Sequence, residues 1–155
     1  MADLRAIADR LEIEILRGEF TDAIMMRDYD RFASLFTQEG AWRIPYIDVE
    51  LVGREEIRAG IERMQNLWES FVQTTHPGTI ELHGDTAVGR AYIAELGHMR
   101  DGRSEMNYAI YHDRCERVPG DGWKFSERVY EVRYLDKSPL AGSASRAGAV
   151  TWPTS

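Results

Sequence analysis

One cysteine, Cys115, in a chain of 155 residues rules out an intramolecular disulfide and leaves no cysteine pair for a thiolate zinc site. Basic residues are outnumbered. Nineteen Lys and Arg face 26 Asp and Glu, a net charge of -7, and a nucleic-acid partner is not expected because phosphate binding needs a basic surface. Long apolar runs are missing too. None approaches the roughly 20 residues needed to span a bilayer, so no membrane partner is expected. The opening Met-Ala-Asp-Leu-Arg lacks the basic-then-apolar pattern of a signal peptide, which makes the cytoplasm the expected location. There is no Gly-rich phosphate loop, no His-x-x-x-His pair and no haem or flavin motif. Any chemistry is expected to need neither metal nor cofactor.

What the chain does have is core material. It is 43% apolar, with four Trp, seven Tyr and five Phe, enough for one domain that buries roughly two-thirds of its unfolded surface. From Ala2 to about Arg27 there is no Pro. Leu4, Ile7, Leu11 and Ile15 form one helical stripe, and Leu16, Phe20 and Ile24 a second. Asp28 caps a short second helix containing Phe32, Leu35 and Phe36. Gly40 to Tyr46 alternates as a strand, with Pro45 pointing to a sheet edge. Gly53-Arg-Glu-Glu opens a third helix that buries Ile57, Ile61, Met64 and Leu67-Trp68.

Four strands follow, at about 72–83, 86–99, 104–117 and 123–135. They are separated by His83-Gly84-Asp85, Arg100-Asp101-Gly102 and Val118-Pro-Gly-Asp-Gly122. Helices first and a meandering sheet after predict an α+β fold, a curved and mostly antiparallel sheet wrapped as a cone around about three N-terminal helices. The domain is expected over 1–137. The Gly-, Ala- and Ser-rich stretch 138–155 is expected as a flexible extension, or as a lid or swapped arm if Trp152 finds a pocket.

Several stretches resemble the SnoaL-like group of the nuclear transport factor 2-like superfamily, whose fold is a cystatin-like α+β barrel. They are Asp22 to Phe36, Gly53 to Ile57, His76 at the first long strand, Gly84-Asp-Thr-Ala87, and the exit Ser138-Pro-Leu-Ala-Gly142. The group includes polyketide cyclases, dehydratases and a dehydrochlorinase. The resemblance assigns His76 as the base that abstracts a proton. In the dehydratase-like members an aspartate near the end of the first helix orients that histidine. Met25 stands at its place here, and a thioether is a poor acceptor.

Two carboxylates could replace it. Asp22 lies one turn earlier, on the face of Leu11, Ile15 and Met26. Glu95 is in phase with Ala87, Gly89, Ala91 and Ile93, a small apolar set that marks the inner face of its strand. On the next strand the resemblance puts Asn107, Ala109, Tyr111, Asp113 and Cys115 inside, with Asn107 and Tyr111 as donors to a substrate oxygen. Tyr46, Trp68 and Met25 are expected as further substrate contacts. The expected function is a cofactor-independent lyase or isomerase acting on a small hydrophobic substrate, aromatic, polycyclic or steroid-like. The alternative is a binding or assembly protein of the same fold that has lost the acid–base pair. Homodimers or homotrimers are expected through an outer sheet face bearing Arg90, Tyr92, Tyr108, Ile110 and His112.

Overall fold

The computed structural model describes residues 3–145. The first helix, α1, runs Leu4–Met25, and the Asp3 carboxylate caps it by accepting the Arg5 backbone N–H at 2.9 Å. Asp28 caps α2, Tyr29–Ser34, in the same way. Then come β1 (Phe36–Ile44), a single 3-10 turn at Pro45–Ile47, β2 (Val49–Val52) and α3 (Arg54–Gln65). Gly53 precedes α3 at φ 89°, a left-handed conformation that costs glycine little. Four long strands complete the chain, β3 (Trp68–His83), β4 (Thr86–Met99), β5 (Ser104–Val118) and β6 (Gly122–Asp136).

The six strands form one mixed sheet in the order β2-β1-β6-β5-β4-β3. Neighbours are antiparallel except β1 and β6, which run parallel with Trp42 opposite Arg128. The sheet does not close, since β2 and β3 are its two edges. Its inner face packs on the helices around Phe20, whose ring lies 4.6 Å from Phe32, 5.3 Å from Tyr111 and 5.9 Å from Phe125.

A buried ionic triad anchors α1 to this face. Asp113 accepts from Arg128 Nε at 2.6 Å and from Arg17 Nε at 3.1 Å, and Arg17 Nη2 donates to the Thr79 carbonyl at 2.9 Å. The Arg128 guanidinium stacks 4.0 Å from the Tyr111 ring and 4.4 Å from Phe20. Room for Arg17 comes from Gly89, where a Cβ would stand 2.9 Å from Nη2 and clash with the Thr79 carbonyl.

Several expectations need correction. The stripe Leu4, Ile7, Leu11 and Ile15 is exposed, at 80%, 49%, 60% and 53%. The covered face is the second stripe, Leu16, Phe20 and Ile24, joined by Ile13, Ala23, Asp9 and Arg17. Two charged residues inside that face, each paired, disguise it as a polar one. Asp22 therefore stands on the open side. β1 is interior rather than an edge, and Pro45 falls just past it in the 3-10 turn. Phe36 opens β1 instead of closing α2, Leu67 is exposed, and the four-residue β2 was not expected. Beyond β6, residues 137–145 carry no helix or strand. Trp152 lies outside the described residues.

Candidate active site

Helices α1 and α3, the 3-10 turn and the inner faces of β1 and β3–β6 enclose a cavity of about 440 Å³. That size suits a small organic ligand. The wall is mainly apolar, with Trp42, Ile61, Met64, Trp68 and Phe71 among its residues. A polar row crosses it, and Gln65, Arg103, Glu105 and Lys137 also contribute to the lining. Gln73 of β3 is the register partner of Glu95 on β4, and Glu95 that of Asn107 on β5. Direct cross-strand partners share a face, so all three side chains turn inward.

Two donor chains converge on Glu95. Thr21 of α1 donates its hydroxyl to Gln73 Oε1 at 2.7 Å, and Gln73 Nε2 donates to Glu95 Oε2 at 3.1 Å. The Tyr130 hydroxyl of β6 donates to Glu95 Oε1, and Asn107 Nδ2 donates to the Tyr130 oxygen at 3.4 Å. Asn107 Oδ1 has no partner among the described residues. Tyr111 accepts from Trp42 Nε1 at 3.0 Å.

Burial is the main force on Glu95 and raises its pKa above the ordinary carboxylate value. The Tyr130 and Gln73 donors oppose the shift, and the charge of Glu105 adds to it. Burial and the Glu95 charge also raise the Tyr111 and Tyr130 phenols, which keeps both as neutral donors. No group of three or more side chains suited to a metal ion occurs among the described residues.

A SnoaL-like domain profile matches residues 5–129. The chain belongs to the SnoaL-like family. Gamma-hexachlorocyclohexane dehydrochlorinase of Sphingobium indicum is 31% identical over 149 residues, covering 92% of this chain and 90% of that protein. The crystal structure of LinA superposes with a TM-score of 0.82 at 26% identity, over 94% of this chain and 99% of that one. A cystatin-like protein of unknown function from Nostoc punctiforme PCC 73102 has a TM-score of 0.69 at 21% identity, over 81% of this chain and 91% of that one. This last likeness concerns the fold alone.

Within the SnoaL-like frame, the residues singled out from sequence divide in two. Glu95, Asn107, Tyr111, Trp68 and Tyr46 all line the cavity. His76 and Asp22 do not, and they do not meet. His76 is exposed on the outer parity of β3, where Nε2 lies 3.2 Å from the Thr74 hydroxyl. Asp22 pairs with Arg31 at 2.5 Å with its side chain 56% exposed. The place on β3 beside Met25 is held by Gln73, whose backbone N–H lies 3.2 Å from Met25 Sδ. Met25, expected as a substrate contact, is not among the residues lining the cavity.

Gln73, Thr21 and Tyr130 were missed. Gln73 shares the parity of Phe71, but β3 is an edge strand whose pairing shifts between His76 and Thr79, which blurs its alternation. The face of β6 switches at Ser126. Cys115 pairs with Phe125 and Arg114 with Glu127, so Ser126 is an extra residue and the inward set passes from Trp123 and Phe125 to Arg128 and Tyr130.

Proposed function

We propose that this protein is a cofactor-independent lyase or isomerase that takes a proton from carbon in a small hydrophobic substrate, with Glu95 as the base. The observation that carries the reading is Glu95 itself. It is a carboxylate of raised proton affinity, held by two side-chain donors in an apolar cavity, and the charge that bears on it is another carboxylate, Glu105. A group placed this way accepts protons near neutral pH far better than a solvated carboxylate.

The ionised carboxylate removes the proton, and the C–H electron pair becomes a new carbon–carbon double bond. In elimination the leaving group departs with its own bonding pair and takes the proton back from Glu95. In isomerisation an existing double bond shifts, and its π pair takes the proton back from the carboxylic acid at a different carbon. Either way Glu95 ends in its starting state. Tyr130 and Gln73 hold the carboxylate in one orientation, and the Tyr111 hydroxyl, facing the same space, supports negative charge developing on a substrate oxygen. A lyase among the relatives, the dehydrochlorinase, supports the reaction class.

The test is a panel of small cyclic alcohols, ketones and halides, incubated with the protein and followed by mass spectrometry. Glu95→Gln is expected to lower turnover by about 100- to 10,000-fold with the fold and ligand binding retained. His76→Ala is expected to leave turnover unchanged. Full activity in Glu95→Gln, or its loss in His76→Ala, overturns the assignment. If every ligand binds and returns unchanged, the protein is a binding module, and Met25 with Gln73 marks the lost acid–base pair.

A further inference from the structure

The exposed side of α1 is patterned for a neighbour that the described residues do not supply. Leu4, Ala8, Leu11 and Ile15 follow one another at intervals of four, three and four residues, the alternation with which one helix lies along another. Leu4, Leu11 and Ile15 are 80%, 60% and 53% exposed, and Ile7 beside them 49%. The helix packs on the sheet through its opposite side, with Ile13, Leu16, Phe20 and Ile24. The fold of one chain therefore makes no use of the seam.

The charges beside the seam select what fits it. Arg5 and Glu12 flank it on one side, Ile7 and Glu14 on the other. Arg5 and Glu12 are exposed, and neither forms an ion pair among the described residues. Consider a second α1 laid antiparallel, so that Leu4 meets Ile15 of the second copy and Ala8 meets its Leu11. The two-fold axis then repeats both layers, and Arg5 of each copy comes beside Glu12 of the other. Sliding by one heptad, so that Leu11 meets Ile15, sets Glu12 against Glu12. A parallel pair sets Glu14 beside Glu19 and gives Arg5 no acid. Of the three arrangements, the first alone matches the apolar seam and its flanking charges together.

We propose that the exposed face of α1 is a docking surface for a second copy of this chain, seated antiparallel on its own α1 through Leu4, Ala8, Leu11 and Ile15. The surface lies on the helix side of the sheet, away from the outer sheet face, so the two contacts are independent. A seam of under two heptads buries well below the roughly 800 Å² per partner of a standard interface. The pairing is accordingly weak, with a dissociation constant on the order of 100 μM, above the micromolar range in which the sheet face is expected to act.

Sedimentation equilibrium of the full chain between about 5 and 500 μM reads the pairing as a further, concentration-dependent rise in mass. Leu11→Glu, at a residue already exposed, is expected to abolish that rise and leave the species present at low concentration unchanged. Arg5→Glu and Glu12→Arg are each expected to weaken pairing about tenfold, because each puts like charges at both contacts. The double swap is expected to restore it. A swap that restores nothing, or a mass that stays constant over the range, overturns the proposal. Cross-linking reads the orientation. An equimolar mixture of Ala8→Cys and Leu11→Cys chains should oxidise in air mainly to the mixed disulfide, Cys115 being buried. Self-linking of each variant in preference to the mixed product overturns the antiparallel seating. If Leu11→Glu leaves the mass unchanged and instead opens residues 146–155 to protease, that segment is the occupant and the proposal falls.

Discussion

A carboxyl group whose pKa rises on folding binds its proton more tightly in the folded chain than in the unfolded one. Glu95 is raised from the ordinary 4.5, first by burial. Below that ordinary value both states are protonated, and the residue's contribution to stability is fully present. As pH rises through the window up to the folded value, the unfolded chain releases the proton first and stability falls. Wild type should therefore lose urea resistance across this window more steeply than Glu95→Gln, which has no proton to lose. Turnover should move the other way and rise with pH, because the base must be ionised. Parallel stability slopes for the two proteins would contradict this. The inward placement of Glu95 was visible in the alternation of β4, and that of Asn107 and Tyr111 came from the family resemblance alone. That of Gln73 was not visible, since an amide on an irregular edge strand carries no signal of its own, while His76 three residues later carries a strong one.

At the scale of elements, β6 shows how a single residue sets the site. Ser126 is the extra residue that switches the inward face, and without it Arg128 and Tyr130 would point outward. Deleting Ser126 should separate Arg128 from Asp113 and Tyr130 from Glu95 together. Breaking a buried ion pair alone costs about 3–5 kcal/mol, so the deletion variant is expected to unfold at much lower urea than wild type. A deletion tolerated with an unchanged midpoint would show that β6 can re-register freely. The four long strands were legible because their turns carry Gly, Asp and Pro at regular spacing. The covered face of α1 was legible only in the stripe of Leu16, Phe20 and Ile24, because Asp9 and Arg17 also belong to it, and pattern reading takes charge as a sign of solvent. Its exposed neighbours Leu4, Ile7, Leu11 and Ile15 completed the misdirection. β2, with four residues, is too short to show any period.

For the whole molecule, the outer sheet face is where assembly is expected. Tyr92, Tyr108 and Tyr134 are 44%, 52% and 55% exposed there, and the rings of Tyr108 and Tyr134 sit 6.4 Å apart across β5 and β6. Half-exposed aromatic residues gathered on one face mark an interaction surface. We expect dimers or trimers through this face at micromolar concentration. Replacing Tyr108 and Tyr134 together by Ser should shift sedimentation to the mass of one chain. A wild-type protein that already sediments as a single chain would refute the expectation.

The Arg17–Asp113–Arg128 triad has a consequence for uniqueness rather than strength. Apolar contacts between α1 and the sheet have no fixed address. A helix displaced by one turn, about 5.4 Å, could rebury much of the same surface. Asp113, buried between two buried cations, resists such a slide, since a shift of α1 takes Arg17 away from it in a dry interior while Glu14 moves with the helix. The triad would then act as a key that fits one seating of α1, and so fixes where Thr21 meets Gln73. Replacing Arg17, Asp113 and Arg128 together by Met, Leu and Met should leave the urea midpoint close to wild type while amide resonances of α1 and the inner sheet broaden. Sharp, single resonances in that variant would show that packing alone seats the helix.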